Sequence, residues 1–123
     1  LLDIDFGDEN VGIAVGDYGR IIRTADGGKT WTTIAVPPDT KLPPDIAEVV
    51  EPGDILFYSV HFADPQHVWV VGEFGVILAS SDGGQTFVPQ VSPVESTLFG
   101  VYFLDTQRGW ATGMEATLLQ TTD

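Results

Sequence analysis

Thr24-Ala25-Asp26-Gly27-Gly28-Lys29-Thr30-Trp31 and Ser80-Ser81-Asp82-Gly83-Gly84-Gln85-Thr86-Phe87 are two copies of one phrase. A hydroxyl residue, Asp two places on, paired glycines, Thr and an aromatic suit a hairpin. The oxygens accept bonds from turn amides, the glycines tolerate left-handed geometry, and the aromatic packs beneath. Working outward, aligning Phe6, Phe62 and Phe103 brings Gly16, Gly72 and Gly113 together ten residues on, and Asp26, Asp82 and Asp123 together after ten more. Repeats of about 40 to 50 residues imply stacked supersecondary units, none of which buries its apolar face alone. The third copy reaches Asp123, inside its own version of the turn, so the pattern predicts that the natural unit continues.

Within each repeat the first segment alternates, as Leu2, Ile4, Phe6; Tyr58, Val60, Phe62; and Phe99, Val101, Phe103, which predicts a strand with that face buried. A polar turn follows at Asp8 to Asn10, Asp64 to Gln66 and Asp105 to Gln107, then a short apolar strand ending at a glycine. The next turn, Gly16-Asp17-Tyr18-Gly19 or Gly72-Glu73-Phe74-Gly75, pairs glycines suited to positive φ. Gly113-Met114-Glu115-Ala116 departs from it. The third strand, through Ile21-Ile22, Ile77-Leu78 and Leu118-Leu119, is apolar on both faces, as in a sheet sandwiched between two others. With a fourth strand after each phrase, every repeat is one four-stranded antiparallel blade of a β-propeller. The expected architecture is all-β, a partial propeller of about two and a half blades, with repeats at about 1–36, 55–92 and 96–123. Phe62 lies 56 residues after Phe6 but Phe103 only 41 after Phe62, so a Pro-rich, acidic insertion at 37–54 separates the first two blades. It reads mainly as a loop, with room for a helical turn around 46–50.

The composition narrows the function. Five Lys and Arg against 18 Asp and Glu give a net charge of −13, which opposes phosphate-backbone binding and makes nucleic acid an unsuitable partner. An acidic surface aids solubility and steers basic partners. No Cys is present, which removes thiol nucleophiles and Cys-type zinc sites, and no apolar run approaches a membrane span.

The two phrases match the Asp-box pattern, Ser/Thr-x-Asp-x-Gly-x-Thr-Trp/Phe, of the bacterial neuraminidase repeat superfamily. The matching residues are Thr24, Asp26, Gly28, Thr30 and Trp31, then Ser80, Asp82, Gly84, Thr86 and Phe87, with Asp123 beginning a third. The wider repeat, from aromatic strand through Gly-x-Ile-Leu to the phrase itself, resembles the photosystem II assembly and stability factor propellers over nearly the whole chain outside the insertion. That resemblance implies a non-catalytic scaffold without cofactor that holds a protein partner, such as subunits of a membrane complex. It also implies an exported setting: periplasmic, thylakoid lumenal or extracellular. The remaining blades would come from the same chain or from another copy. The alternative is part of a sialidase-like carbohydrate-active propeller with its catalytic residues elsewhere.

Catalytic patterns are thin. Gly28-Lys29-Thr30 lacks the glycine a phosphate-binding loop needs five positions earlier, where Arg23 stands. His61 and His67 have no His or Cys counterparts in the other repeats, so they read as surface or rim histidines rather than metal ligands. A sialidase site needs converging arginines, and Arg20, Arg23 and Arg108 fall at opposite ends of their blades. What remains is surface. The turns between second and third strands share an end with the inter-blade connections, gathering Asp17, Tyr18, Glu73, Phe74, Met114, Glu115 and the insertion. Aromatic and Met tips beside carboxylates suit protein recognition, and the competing reading has Tyr18 and Phe74 covering neighbouring blades.

Overall fold

The computed structural model describes residues 1–114 and 118–121. Eleven strands among these residues form three antiparallel sheets. β1 (Asp3–Phe6), β2 (Gly12–Val15), β3 (Ile21–Thr24) and β4 (Thr32–Thr33) form the first. β5 (Phe57–Phe62), β6 (Val68–Gly72), β7 (Ile77–Ser80) and β8 (Val88–Gln90) form the second. β9 (Leu98–Phe103), β10 (Gly109–Gly113) and β11 (Leu118–Thr121) form the third. Each sheet is a meander, each strand pairing with the next in sequence. The register repeats across copies, Phe6 opposite Gly12, Phe62 opposite Val68 and Phe103 opposite Gly109.

The sheets stack face to face with β1, β5 and β9 as neighbouring inner strands. Ile13, Val15 and Ile21 of the first sheet pack on Val60, Phe62, Val68, Val70, Leu78 and Phe87 of the second in one buried cluster. A smaller cluster of Val71, Leu98 and Ala111, with Ile77 and Val101 against it, joins the second sheet to the third. The valines of β6 divide by alternation, Val68 and Val70 to one side and Val71 to the other, as the double-faced burial of a middle sheet requires.

One expectation is corrected. The alternating apolar set of β1 is exposed, with Ile4 at 53% of its full accessibility, whereas its counterparts Val60 and Phe62 are buried. Each blade lays this face on the blade before it, and the described residues place no sheet ahead of β1. The opposite face of β1 points at the second sheet and carries carboxylates. Asp3 Oδ2 accepts from the Val60 amide at 3.0 Å and the Ser59 hydroxyl at 3.2 Å, and Asp5 Oδ2 accepts from the Phe62 amide at 2.7 Å. β5 is an edge strand, so these amides have no strand partner, and the neighbouring blade's side chains satisfy them.

The same stitch recurs one blade on. Ser59 Oγ accepts from the Val101 amide at 3.3 Å, and His61 Nε2 donates to the Phe103 carbonyl at 3.0 Å. A carbonyl only accepts, so this bond places the proton on Nε2. His61 also lies against the Tyr102 ring, with centroids 4.3 Å apart, and its Nδ1 is 3.7 Å from Asp5 Oδ2. It therefore touches three blades at once, and the surface or rim reading of His61 is replaced by an inter-blade one. His67 serves its own turn, Nδ1 donating to Asp64 at 2.9 Å.

The insertion contains a helical turn, α1 (Pro44–Ala47), slightly earlier than the sequence suggests, and a 3-10 turn at Pro52–Asp54. Leu42 and Val50 anchor it against the main core. In the third sheet Leu118 is exposed, unlike its counterparts Ile21 and Ile77, because it sits on the outermost face. No helix among the described residues is long and apolar enough to cross a membrane.

Candidate functional site

The two ends of the blades differ in how they use their polar side chains. At one end stand the Asp-Gly-Gly turns. Thr24 Oγ1 donates to Asp26 Oδ1 at 2.7 Å and accepts from the Gly28 amide at 2.9 Å. Asp26 also accepts from the Thr30 amide at 2.9 Å and hydroxyl at 2.6 Å. In the second copy, Ser80, Asp82, Gly84 and Thr86 make the same four bonds at 2.7, 2.9, 3.0 and 2.6 Å.

The Thr30 hydroxyl and amide, with the Thr24 hydroxyl, hold the Asp26 carboxyl far below the usual carboxylate range. Burial pushes Asp82 upward, but bonds from the Thr86 and Ser80 hydroxyls and the Thr86 and Gln85 amides outweigh it and hold it at about 2. Phe87 is buried in the core, and Trp31 packs edge-on against Phe6 with centroids 6.3 Å apart. These carboxylates are consumed by the turn, which leaves them unsuited to general acid or base work. Asp123 lies outside the described residues.

Two arginines are likewise committed. Arg23 Nε crosses from the first sheet to the Gly83 carbonyl at 2.9 Å, and Arg108 Nε and Nη2 both donate to Asp105 Oδ2 at 3.0 and 2.9 Å. Among the described residues, Arg20 is exposed and makes no such bond, and the arginines that do are bound to different partners rather than turned toward one site.

At the opposite end, the turns after β2 and β6 lie beside the inter-blade linkers. The Gly19 amide donates to the Ile55 carbonyl at 2.6 Å, and the Met114 amide to the Thr97 carbonyl at 3.0 Å. Left-handed backbone falls on Tyr18 and Gly19 (φ 54° and 63°) and on Phe74 and Gly75 (φ 60° and 74°), not on the first glycine of each pair. Gly72 is extended, and its role is close approach: a Cβ there would collide with the Leu56 carbonyl oxygen.

The side chains singled out here part company. Tyr18 is 75% exposed, Asp17 is exposed, and Met114 is about half exposed. Phe74, at the register of Tyr18, is partly buried and packs against the core, as Leu42 and Val50 of the insertion do. Glu73 Oε1 accepts from the Leu56 amide at 2.7 Å, clamping the linker into the second blade. Glu115 lies outside the described residues.

Sequence reasoning missed a groove of about 630 Å³ at the outer corner of this end. The insertion at 39–44 forms one wall, Phe74 to Ile77 the floor, and β8 with the linker to 95 the other wall. Its signal was the 15-residue excess in the first connection. A second cavity, of about 510 Å³, lies between the second and third sheets under Trp69, Val71 and Ala79.

The architecture has solved counterparts. YCF48 from Cyanidioschyzon merolae aligns with 99% of this chain at 28% identity and a TM-score of 0.78. A structure of YCF48 bound to D1 peptide aligns with 99% of it at 26% identity and a TM-score of 0.80. This chain is part of a β-propeller. It spans 36% and 37% of the length of those two proteins. No protein-family model and no curated protein matches the chain.

Proposed function

We propose that this chain belongs to a non-catalytic propeller scaffold that holds a polypeptide partner during assembly of a larger complex. The observation that carries the reading is the likeness to YCF48 over 99% of the chain, one of the two structures holding a peptide. Two features of the chain support it. Its conspicuous carboxylates and two of its arginines are spent on turns and blade joints, and its open concave surface at the linker end is large enough for side chains of an extended segment. The Asp-Gly-Gly turns are Asp-boxes of the bacterial neuraminidase repeat type in this reading, with a structural role. The setting is exported, periplasmic or lumenal, and subunits of a membrane complex are the partners. A native mass spectrum of the endogenous complex tests the proposal. A second polypeptide bound to the propeller is the expected result. A propeller recovered only alone, or only with a small molecule, contradicts it.

A further inference from the structure

One register position of the inner strands carries a titratable side chain in every blade. Asp5, His61 and Tyr102 each stand one residue before the aromatic that closes the strand, Phe6, Phe62 and Phe103. Stacking of the sheets turns this position into a row across β1, β5 and β9. His61 is its middle member: Nδ1 lies 3.7 Å from Asp5 Oδ2, and the imidazole lies against the Tyr102 ring with centroids 4.3 Å apart. Asp3 is the other charged group on the facing side of β1, and the Ser59 hydroxyl and Val60 amide occupy it. Trp69, opposite His61 on β6, does not titrate. Among the described residues no Lys or Arg forms an ion pair with Asp3 or Asp5.

The two ring nitrogens of His61 differ. Nε2 donates to the Phe103 carbonyl at 3.0 Å, and because a carbonyl offers only lone pairs, the neutral ring keeps its proton there. Nδ1 of the neutral ring is then an acceptor beside a carboxylate oxygen, with no proton between them. Protonation changes this one contact and leaves the others in place. The imidazolium donates from both nitrogens, so Nδ1 gains an ion pair with Asp5 while Nε2 keeps Phe103. Asp5 Oδ2 already accepts from the Phe62 amide at 2.7 Å, and a carboxylate oxygen has room for a second donor. The side chains of His61 and Asp5 are only 20% and 34% exposed, which limits screening of the pair. His67 behaves otherwise, since its Nδ1 meets Asp64 at 2.9 Å within one turn and ties no two blades together. With Nε2 spent on a backbone carbonyl, the Asp5 and His61 pair is a joint rather than a dyad poised for general base catalysis.

We propose that His61 is a proton-operated latch between blades: uptake of a proton at Nδ1 ties the second blade to the first through Asp5, while Nε2 holds the third through the Phe103 carbonyl. The inference concerns the blade joints and stands apart from the scaffold reading. Its sign follows from linkage. Only the protonated ring makes the Asp5 pair, so the folded chain holds that proton more tightly than the unfolded chain. The added stability is therefore complete in mild acid and is lost as pH rises through the imidazole range toward about 8. This dependence runs opposite to that of Asp82, whose contribution is lost only as pH falls toward about 2.

The test is a double-mutant cycle on the full chain, Asp5→Asn and His61→Gln, with denaturant unfolding measured at about pH 8 and about pH 5.5, a range that stays above ordinary carboxylate titration. Asparagine keeps an oxygen for the Phe62 amide and glutamine keeps an N–H for the Phe103 carbonyl, so both variants spare the contacts of the neutral ring. Coupling between the two sites is expected to be close to nil at the higher pH and to reach about fivefold in the unfolding equilibrium constant at the lower, as for a partly exposed ion pair. His67 is common to every chain of the cycle, so its own protonation cancels. The same coupling at both pH values overturns the inference. Nitrogen NMR of labelled histidine gives a second reading on the unaltered chain. His61 is expected to carry its proton on Nε2 alone at the higher pH and on both nitrogens at the lower, with a midpoint that falls in Asp5→Asn. A proton on Nδ1 alone at the higher pH, or a midpoint indifferent to Asp5→Asn, overturns it as well.

Discussion

At one end of the blades, Thr24 and Ser80 donate to Asp26 and Asp82 over the same 2.7 Å, and the other three bonds the two turns share agree within 0.1 Å. At the other end, Tyr18 and Phe74 share a left-handed backbone at the same register, yet one ring stands in solvent and the other is partly buried against the core. The first end repeats because each copy solves the same local problem, satisfying turn amides beside a buried aromatic. The second end varies because the linkers that reach it differ in length, and its side chains differ in what they meet. Stability concentrates at the repeating end, and recognition is proposed for the varied one.

The strongest break in this contrast is Gly84→Ala. Its backbone is left-handed (φ 90°), and a Cβ would come within 2.6 Å of Ile13 Cδ1 in the core. Strain and overpacking together cost about 4 kcal/mol, read as a loss in chemical denaturation. At the varied end, Phe74→Ala costs about 3 kcal/mol, the low end for an aromatic truncation because the ring is only partly buried. It also releases the insertion, so amide exchange at 40–50 should quicken while that at 24–31 is unchanged.

Next comes Asp82→Ala, which leaves the Thr86 amide and the two hydroxyls without their acceptor and costs about 2 kcal/mol. Acid repeats this effect without mutation. The folded carboxyl titrates at about 2, below its ordinary 3.8, so its contribution is complete above pH 4 and is lost as pH falls toward 2. Asp82→Ala should flatten that part of the stability profile. The smallest effect is a gain: Tyr18→Gly relieves a left-handed L-residue with little burial to lose and stabilises by about 1 kcal/mol.

Much of this was legible in the sequence for a physical reason. The turns are local, so Thr24 to Trp31 contains every partner the Asp26 side chain requires, and recurrence at fixed spacing is enough to place strands and sheets. Contacts between blades were not legible. Asp3 and Asp5 read as the solvent side of an alternating strand, and only the stacking shows that they satisfy the edge amides of Val60 and Phe62. His61 was obscure for the same cause, since its bond to the Phe103 carbonyl joins residues 42 apart. The rim was half legible. The shared turn pattern grouped Tyr18 with Phe74, but the second packs against a core to which Leu42 and Val50 also contribute, and no periodicity encodes the path of the insertion that brings those two there.

Hydrogen exchange on the endogenous protein, free and in complex with its partner, tests the division between the two ends most directly. The account predicts protection confined to the insertion at 37–54, to Glu73–Val76 and to 88–95, with the turns at 24–31 and 80–87 unchanged. Protection centred on those two turns, with the insertion unaffected, would contradict it.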